Sequence, residues 1–318
     1  MSGALLEVAE VAVEYRDRGR GRVRAVDGVS LSVAPGQIVG LVGESGCGKS
    51  SLARVAAGLA APAAGQVRFG GRPLTPLGWR RRPRAEVGLQ MVFQNPYSSL
   101  NPRRTILSQL LDGVPPDLPP AGRREHALHQ LERVGLPESA AGRYPGQFSG
   151  GQLQRIAIAR ALAANPKMII ADEPVTALDV SSQAQVVGVL SQLVRELGVG
   201  MLFISHDLAL VHRLADETAV MYLGAIVESA PTRRLWREPR HPYTRALIEA
   251  IPRAEPGAGL PKVLPGEVTR PESGCRFRAR CPHAFDRCAE EPPLTAGPGG
   301  RVACWLDARV PTPERKGA

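Results

Sequence analysis

Residues 43–50 read GESGCGKS, a glycine-rich string whose residue types suit phosphate binding. Glycines let backbone N–H groups turn inward around an anion, and a helix that begins near Lys49 points the positive end of its dipole at that anion. The Lys49 ammonium can reach the outer phosphates, and the Ser50 hydroxyl suits a phosphate-bound Mg²⁺. The flanking apolar runs 37–42 and 51–59 predict a strand and a helix. The predicted nucleotide-binding residues of this loop are Gly43, Glu44, Ser45, Gly46, Cys47, Gly48, Lys49, Ser50 and Ser51.

A second group of motifs occurs in a set order along the chain. In that order the motifs are VFQN at 92–95, FSGGQLQR at 148–155, an apolar strand ending in Asp172 and Glu173, ALD at 177–179 and FISHD at 203–207. Together with the glycine-rich loop, these motifs resemble those of the ATP-binding cassette (ABC) ATPases. The resemblance implies that the chain binds ATP with Mg²⁺ and hydrolyses it.

The resemblance also implies a role for each polar residue at the predicted site. Glu173 would orient and polarise the attacking water, and His206 would contact the γ-phosphate. Gln94 would reach both the metal and the water. Asp172, at the carboxyl end of a buried strand, suits Mg²⁺ held through a water. The predicted catalytic set is therefore Glu173, His206 and Gln94, with Mg²⁺ on Ser50, Gln94 and Asp172.

Ser149, Gly150 and Gly151 resemble the family's signature sequence, which binds the γ-phosphate held by the opposite subunit through backbone amides and a hydroxyl at a helix start. Gln152 belongs to the same predicted ATP-binding set. The chain has one glycine-rich loop for phosphate, residues 43–50 (the phosphate loop), and one signature. We therefore expect ATP to lie between two such chains, identical or paralogous, in a head-to-tail arrangement. Asp179 is predicted to lie at that interface and to contribute to ATP binding.

An aromatic residue near the start of the chain is the candidate for base recognition. Tyr15 ends the alternating strand that contains Val11 and Val13, and it resembles the aromatic residue on which the adenine ring stacks. Stacking tolerates any flat base. The alternative is a strand tyrosine that caps the core.

The composition is that of a globular protein. The chain has 318 residues, of which 43% are hydrophobic. No apolar run approaches the roughly 18 residues of a membrane-spanning helix, and Glu7 and Glu10 fall where a signal peptide needs an apolar core. We therefore expect the chain in the cytosol, at the cytoplasmic face of the plasma membrane. The net charge of +10 does not predict nucleic-acid binding, because the aromatics are few and the arginines are spread over loops. A basic surface beside anionic lipids accounts for it.

The predicted fold is α/β, with the organisation of an ABC-type P-loop NTPase. Residues 1–235 are expected to form the ATPase domain, with a RecA-like parallel sheet, a β-rich subdomain and a helical subdomain at about 98–165. Apolar strands alternate with helices over 166–229, which is the pattern of a parallel sheet. Residues 236–318 are expected to form a small extension that carries cysteines.

Two further segments resemble the ATPases of oligopeptide, dipeptide and nickel importers. EPRHPYTRAL at 238–247 resembles their C-terminal extension, and QNPYSSLNP at 94–102 and YPGQF at 144–148 resemble the F-type subunit, whose usual partner is a D-type paralogue. The resemblance implies an ATPase that drives peptide uptake through two permease subunits and, indirectly, a substrate-binding protein. Nickel or glutathione is the alternative cargo, because the cassette never touches cargo.

The segment after Gln94 is expected to form part of a groove for a coupling helix of the permease. Tyr97 and Leu100 are the predicted apolar contacts, although the two Asn-Pro dipeptides also suit an ordinary turn. A soluble ABC ATPase that acts on nucleic acid or ribosomes is the alternative of another class. The chain has neither a long coiled coil nor the second cassette of such proteins. An exporter ATPase is a third class, against which the HPYT string argues.

Four of the five cysteines lie near the C-terminus: Cys275, Cys281, Cys288 and Cys304. Disulfides are not expected in reducing cytosol, and thiols grouped there suggest a metal. Their spacing is looser than that of zinc knuckles, and Cys281 precedes a proline as the last ligand of a ferredoxin run does. Similar tails of dipeptide-import ATPases carry a [4Fe–4S] cluster, which is the predicted cofactor. Zn²⁺ and unmetallated thiols are the alternatives, and His283 is a substitute ligand.

Overall fold

A computed structural model describes residues 3–17, 21–78, 83, 86–251, 266, 269–297 and 299–307. The strands are β1 (Leu6–Asp17), β2 (Gly21–Val33), β3 (Ile38–Val42), β4 (Ala64–Phe69), β5 (Arg72–Pro73), β6 (Leu89–Val92), β7 (Met168–Asp172), β8 (Gly200–Ser205), β9 (Glu217–Tyr222), β10 (Ala225–Pro231), β11 (Thr295–Gly297) and β12 (Gly300–Val302). The helices are α1 (Lys49–Ala56), α2 (Pro96–Ser99), α3 (Ile106–Leu111), α4 (Pro120–Arg133), α5 (Gly150–Leu162), α6 (Val180–Leu197), α7 (Leu208–Leu214), α8 (Thr232–Arg237) and α9 (Pro242–Glu249).

The larger sheet is the predicted α/β core. In the described part of the chain its strand order is β11-β12-β10-β9-β3-β8-β7-β6, and the five strands from β9 to β6 run parallel. Strands β3, β7 and β8 are buried along their whole length, as their continuous apolar sequences predict. Because their carboxyl ends share one edge, the loops that follow them meet there.

The β-rich subdomain is a smaller antiparallel sheet with the strand order β2-β1-β4-β5. Its inner face packs with α1 and one face of the larger sheet into a single hydrophobic cluster, which includes Val11, Val29 and Leu52. The alternation of apolar and polar residues in β1 predicts this arrangement, since an antiparallel sheet can bury one face and expose the other. The cluster fixes α1, and with it the glycine-rich loop.

Helices α2 to α5 lie within residues 96–162 and form the helical subdomain. Ile106, Leu131 and Ile156 are fully buried where α3, α4 and α5 pack together. Helix α3 begins after Thr105, whose hydroxyl accepts a hydrogen bond from the backbone N–H of Ser108. Between α4 and α5, the expected helical subdomain also contains a 3₁₀ turn at Glu138–Ala140.

The C-terminal extension shares both the larger sheet and the hydrophobic core of the predicted ATPase domain. Strand β12 pairs with β10, where Val302 lies opposite Glu228, and so extends the larger sheet. Tyr243 and Phe277 belong to the same hydrophobic cluster as the β3 residue Val42, and the Tyr243 ring lies 4.5 Å from that of Tyr222. The predicted division at residue 235 therefore falls between two segments that share one core, because the extension buries its aromatic rings against the larger sheet.

The helices that surround the sheet are amphipathic. In the 18-residue α6, the buried residues Val186, Leu190, Leu193 and Val194 recur at helical spacing. Within the described ranges, no helix combines the length and the apolar character that crossing a bilayer needs.

Candidate nucleotide-binding site

The glycine-rich loop joins β3 to α1 in the order that the sequence predicts. Gly48 has a φ of 107°, and a Cβ atom there would lie 2.2 Å from the Ala25 carbonyl oxygen. A Cβ atom at Gly43 would lie 2.2 Å from the carbonyl oxygen of Met221. Only glycine therefore fits at both positions, and the loop backbone lies directly against its neighbours. Helix α1 begins at Lys49 itself.

Lys49 is buried at the centre of the loop, with only 4% of its surface exposed. Its ammonium donates hydrogen bonds to the carbonyl oxygens of Gly43 at 2.8 Å and Glu44 at 2.9 Å. It also lies 3.9 Å from the Glu173 carboxylate. A cleft of about 220 Å³ opens beside it, and is lined by Ala25, Ser45, Gly46, Gly48, Lys49, Ser50, Ser51, Gln94 and Glu173.

Ser50 and Asp172 provide the oxygen atoms that the predicted Mg²⁺ requires. The Ser50 hydroxyl donates a hydrogen bond of 3.0 Å to the Asp172 carboxylate. Burial raises the pKa of Asp172, and the hydrogen bond from Ser50 acts in the opposite direction. A small hard cation at this pair would favour the ionised carboxylate and find oxygen ligands of the type that it prefers. These residues fit Mg²⁺, and Gln94 lines the same cleft.

The predicted catalytic residues meet at the Glu173 carboxylate. One carboxylate oxygen accepts hydrogen bonds from the Gln94 amide at 3.3 Å and the Thr176 hydroxyl at 3.1 Å, and lies 3.3 Å from the His206 Nδ1. The backbone of Glu173 has a φ of 46°, and its N–H donates to the carbonyl oxygen of Ile204. This left-handed conformation is strained for a non-glycine residue and directs the side chain toward its partners. Thr176 is a contact that the motifs did not single out.

Tyr15 lies at the edge of the phosphate loop. Its hydroxyl donates a hydrogen bond of 3.1 Å to Ser51 Oγ, and 44% of the residue is exposed. A tyrosine that caps the core would be buried, so the exposure favours the stacking interpretation. Stacking of adenine on Tyr15 stays a prediction.

The signature residues form the start of helix α5. The Ser149 hydroxyl accepts a hydrogen bond from the Gln152 N–H, and the Gln152 side chain accepts one from the Ser149 N–H at 3.0 Å. This reciprocal capping box leaves the N–H groups of Gly150 and Gly151 at the positive end of the helix. Their contact with the γ-phosphate of another subunit stays a prediction.

Asp179 caps helix α6, next to the signature. It accepts hydrogen bonds from the Ser182 N–H at 2.9 Å and the Ser182 hydroxyl at 2.8 Å. These bonds lower the pKa of Asp179, which therefore stays ionised. Ser182 also packs against Gly151, where an added Cβ atom would lie 2.8 Å from the Ser182 oxygen. The start of the signature helix α5 is thus in direct contact with the first turn of α6, which Asp179 caps.

This contact predicts different effects at two adjacent glycines. Gly151→Ala should lower the melting temperature and the ATPase rate, because overpacking of this kind costs about 1–3 kcal/mol. Gly150→Ala is the matched control for stability, because its added carbon would lie 3.5 Å from the Leu178 side chain, an ordinary contact. Thermal unfolding compares the two variants, and steady-state hydrolysis measures the loss in Gly151→Ala. Equal melting temperatures of the two variants would contradict the tight contact.

The extension reaches the phosphate loop through two residues that the motif analysis did not select as site residues. The Arg280 guanidinium binds the Glu44 carboxylate at 2.7 and 2.9 Å, and the Tyr243 hydroxyl accepts a hydrogen bond from the Glu44 N–H at 3.0 Å. Glu44 was predicted as a nucleotide-binding residue, and the structure directs its side chain to the extension. Tyr243 lies in the HPYT string, whereas nothing local in the sequence marks Arg280.

The four C-terminal cysteines lie in one region but do not form a metal site. Cys275, Cys288 and Cys304 are buried, and the Cys275 N–H donates to the Cys288 carbonyl oxygen at 2.9 Å. Burial raises the pKa of Cys304 to about 11, and the three other thiols add to the shift. Over the described ranges, no three or more His, Cys, Asp or Glu side chains are placed to share a metal ion. The predicted iron–sulfur cluster is therefore unsupported, since neutral buried thiols pack as small apolar groups.

The two predicted permease contacts differ in exposure. Tyr97 is 60% exposed on α2, whose first turn is capped by the Asn95 side chain. Leu100 is only 4% exposed and belongs to the core of the helical subdomain. The prediction that Leu100 offers an apolar surface contact was wrong, because its side chain packs inward.

Known proteins are similar to this chain in the regions that form the fold and the site. The sequence profile described as ABC transporter matches residues 26–176, which include the phosphate loop, the signature and Glu173. The oligopeptide transport ATP-binding protein AppF of Bacillus subtilis is 45% identical over 297 residues, which span 90% of each chain. The chain belongs to the ABC transporter family of ATP-binding proteins. A Brucella ovis protein provisionally named as a peptide import ATP-binding protein is similar to this ABC ATPase at 46% identity, over 95% of this chain and 98% of that one.

The fold of this ABC ATPase is also that of solved cassettes. A dimeric ATP-binding cassette in a post-hydrolysis state with ADP and phosphate matches with a TM-score of 0.64 and 29% identity, over 72% of this chain and 99% of that one. CbiO1 of Clostridium perfringens, part of an ABC transporter complex, matches with a TM-score of 0.63 and 25% identity, over 74% and 92%. The predicted P-loop NTPase fold of the ABC type is confirmed. The profile for the oligopeptide/dipeptide transporter C-terminal region matches residues 227–288.

Proposed function

We propose that this ABC ATPase is the ATP-hydrolysing subunit of an importer that takes up peptides through a membrane permease. The observation that carries the proposal is the match of residues 227–288 to the oligopeptide/dipeptide transporter C-terminal region. Relatives that match over nearly the whole chain carry peptide-import and oligopeptide-transport names. The extension matters most here, because the cassette itself is common to transporters of many substrates.

The geometry at the phosphate loop supports hydrolysis in a defined way. Lys49 and the start of α1 would bind the outer phosphates, and Ser50 and Asp172 would hold Mg²⁺, which would neutralise charge on the phosphate oxygens. Glu173 accepts a hydrogen bond from the attacking water and polarises it. His206 stays beside Glu173 and faces the γ-phosphate. Positioning and charge stabilisation supply most of the acceleration, since phosphoryl transfer needs little covalent chemistry from the protein.

The site needs a second ABC ATPase subunit, for which a D-type paralogue is the proposed partner. In this arrangement, Ser149, Gly150 and Gly151 contact the γ-phosphate of the ATP that is bound to the partner. The partner's signature contacts the ATP that is bound at Lys49. One of the solved cassettes that match this chain is dimeric, which supports the arrangement. Two permease subunits and, indirectly, a substrate-binding protein complete the proposed assembly.

Reconstitution tests the cargo directly. The chain would be purified with its paralogue and two permease subunits, placed in vesicles, and assayed with the substrate-binding protein for stimulated ATP hydrolysis and uptake. Dipeptides and oligopeptides should stimulate both. If only Ni²⁺ or only glutathione stimulates hydrolysis and uptake, that compound and not a peptide is the cargo. Stimulation by nucleic acid or ribosomes, without any permease, would overturn the transport proposal.

Tyr97 is the proposed contact for a coupling helix of the permease. Tyr97→Ala should leave ATP hydrolysis by the isolated chain near that of the wild type and should lower transport by the complex about tenfold, because aromatic anchors dominate such interfaces. Leu100→Ala is the contrasting variant, and should cost about 2–5 kcal/mol of stability as a buried leucine. Unaltered transport by Tyr97→Ala would remove Tyr97 from the interface.

We also propose that the permease holds this chain at the cytoplasmic face of the plasma membrane as a peripheral subunit. The chain should sediment with membranes when its permease is co-expressed and should stay in the supernatant without it. Membrane association in the absence of the permease would point to direct lipid binding by its basic surface.

A [4Fe–4S] cluster at the four cysteines remains a proposal, with Zn²⁺ as its alternative. It rests on the resemblance of the four-cysteine tail to those of dipeptide-import ATPases, whereas the described side chains do not form a group of three or more possible ligands. The arrangement described here does not have ligand geometry, so loading would have to draw the sulfurs together and remove their protons. Anaerobic purification with iron, sulfide and zinc analysis tests it, with the four-serine variant as the control. Absence of iron, sulfide and zinc would contradict a metal site and would mean that the four thiols only contribute to packing.

A further inference from the structure

Within the described residues, a buried ion pair joins the C-terminal extension to the phosphate loop. Arg280 and Glu44 are 236 residues apart, and the guanidinium binds both carboxylate oxygens, at 2.7 and 2.9 Å. Only 5% of the Arg280 side chain and 25% of the Glu44 side chain are exposed. A two-pronged ion pair of this kind is short, directional and weakly screened by solvent.

Tyr243 makes a second contact with the same residue. Its hydroxyl accepts a 3.0 Å hydrogen bond from the Glu44 N–H, so this backbone donor points toward the extension. The Tyr243 ring is fully buried and lies 4.5 Å from the Tyr222 ring and 5.4 Å from the Phe277 ring. Packing on both sides fixes the hydroxyl, and burial raises the pKa of Tyr243 so that it stays neutral.

Glu44 transmits these contacts to the residue that binds phosphate. Its carbonyl oxygen accepts a hydrogen bond of 2.9 Å from Lys49 Nζ, and the adjacent carbonyl of Gly43 accepts another. The side chain, N–H and carbonyl of Glu44 are therefore all bound, the first two by the extension and the third by Lys49. Because phosphate binding requires the loop in one shape, fixing Glu44 lowers the cost of ordering the loop around ATP.

We propose that Arg280 and Tyr243 are positioning residues for ATP binding, and that through Glu44 the extension holds the phosphate loop in its binding shape. Neither residue needs to touch the nucleotide. The proposal rests on the ATPase function proposed above, and makes the extension a part of the ATP site. Arg280 lies in the 3₁₀ turn directly before Cys281, so the loop also depends on the fold of the cysteine-bearing segment.

The test measures ATP affinity of the isolated full-length chain, together with KM and kcat. Arg280→Gln should weaken ATP binding about tenfold and raise KM alike, with kcat at saturating ATP changed less than twofold, because binding rather than chemistry is impaired. Tyr243→Phe removes a single hydroxyl and should weaken binding about threefold. Arg280→Lys should recover only part of the affinity, since an ammonium cannot form the two-pronged pair.

Arg240→Gln is the matched control. Arg240 forms an ion pair with Asp307 that is also largely buried within the extension, but not at the phosphate loop. It should bind ATP like the wild type. A double-mutant cycle with Glu44→Gln adds a second criterion: Arg280→Gln should cost much less in the Glu44→Gln background if it acts through Glu44.

Two outcomes contradict the proposal. Wild-type affinity in folded Arg280→Gln and Tyr243→Phe would overturn it, and so would an equal loss of affinity in Arg240→Gln. If Arg280→Gln fails to fold, as its melting curve would show, Tyr243→Phe and its cycle with Glu44→Gln decide instead. Failure of the wild-type chain to bind ATP would contradict the proposed ATPase function, and is thereby distinguished from failure of this inference.

Discussion

Lys49→Ala is expected to impair both ATP binding and hydrolysis severely. The ammonium is the buried positive charge at the centre of the phosphate loop, and it also holds the carbonyls of Gly43 and Glu44 in place. Loss of a charge-assisted contact to phosphate, together with the loop's internal bonds, should weaken ATP binding by at least about tenfold and turnover by about 100-fold. Titration with a fluorescent ATP analogue and a phosphate-release assay measure the two effects.

Lys167→Ala is the control for that experiment, because Lys167 is exposed and outside the cleft. It should behave as the wild type in both assays. Nucleotide affinity that is unchanged in Lys49→Ala would contradict the phosphate-loop interpretation, whatever happens to turnover.

Glu173→Gln is expected to separate ATP binding from hydrolysis. Glutamine keeps the shape and most hydrogen bonds of the side chain, but it cannot polarise water as a carboxylate does. Removal of a general base typically lowers the rate by about 10²- to 10⁴-fold. Binding should persist, since the substitution also removes a negative charge near the phosphates. ATP should then trap a dimer of cassettes, which size-exclusion chromatography with and without ATP detects.

Glu132→Gln, in which an exposed carboxylate is changed in the same way, is the control and should hydrolyse ATP normally. Normal steady-state turnover by Glu173→Gln would remove Glu173 from its proposed role. Lost turnover without an ATP-dependent dimer would keep the role of Glu173 and count against the head-to-tail arrangement.

The parallel sheet and the phosphate loop could be predicted because their signals are local. Strands β3, β7 and β8 are buried on both faces, so each is a continuous apolar run. The predicted catalytic residues follow such strands directly, and the shared edge of the sheet places Glu173 beside His206. Because the strands are parallel, the motifs that follow them lie at the same edge of the sheet and form one site. This could be predicted without knowledge of long-range contacts.

The predictions from sequence were wrong for residues whose role depends on burial or on the distance between side chains. Leu100 sits in a polar, turn-like stretch, and only the packing of the helical subdomain shows that it points inward. The grouping of four cysteines near the C-terminus suggested that Cys275 and Cys304 could share a metal, but in the described part of the chain their sulfurs do not belong to a group of three possible ligands. Spacing along a loop does not specify where side chains point.

From its residues alone, the chain could be predicted to be an ABC ATPase, and its phosphate loop, its signature and a candidate catalytic carboxylate could be located, because each of these is a short local sequence motif. Only the tertiary structure decided that the extension is continuous with the ATPase core and that Arg280 binds Glu44. A contact across 236 residues depends on how the whole chain packs, and no local pattern of residue types records it.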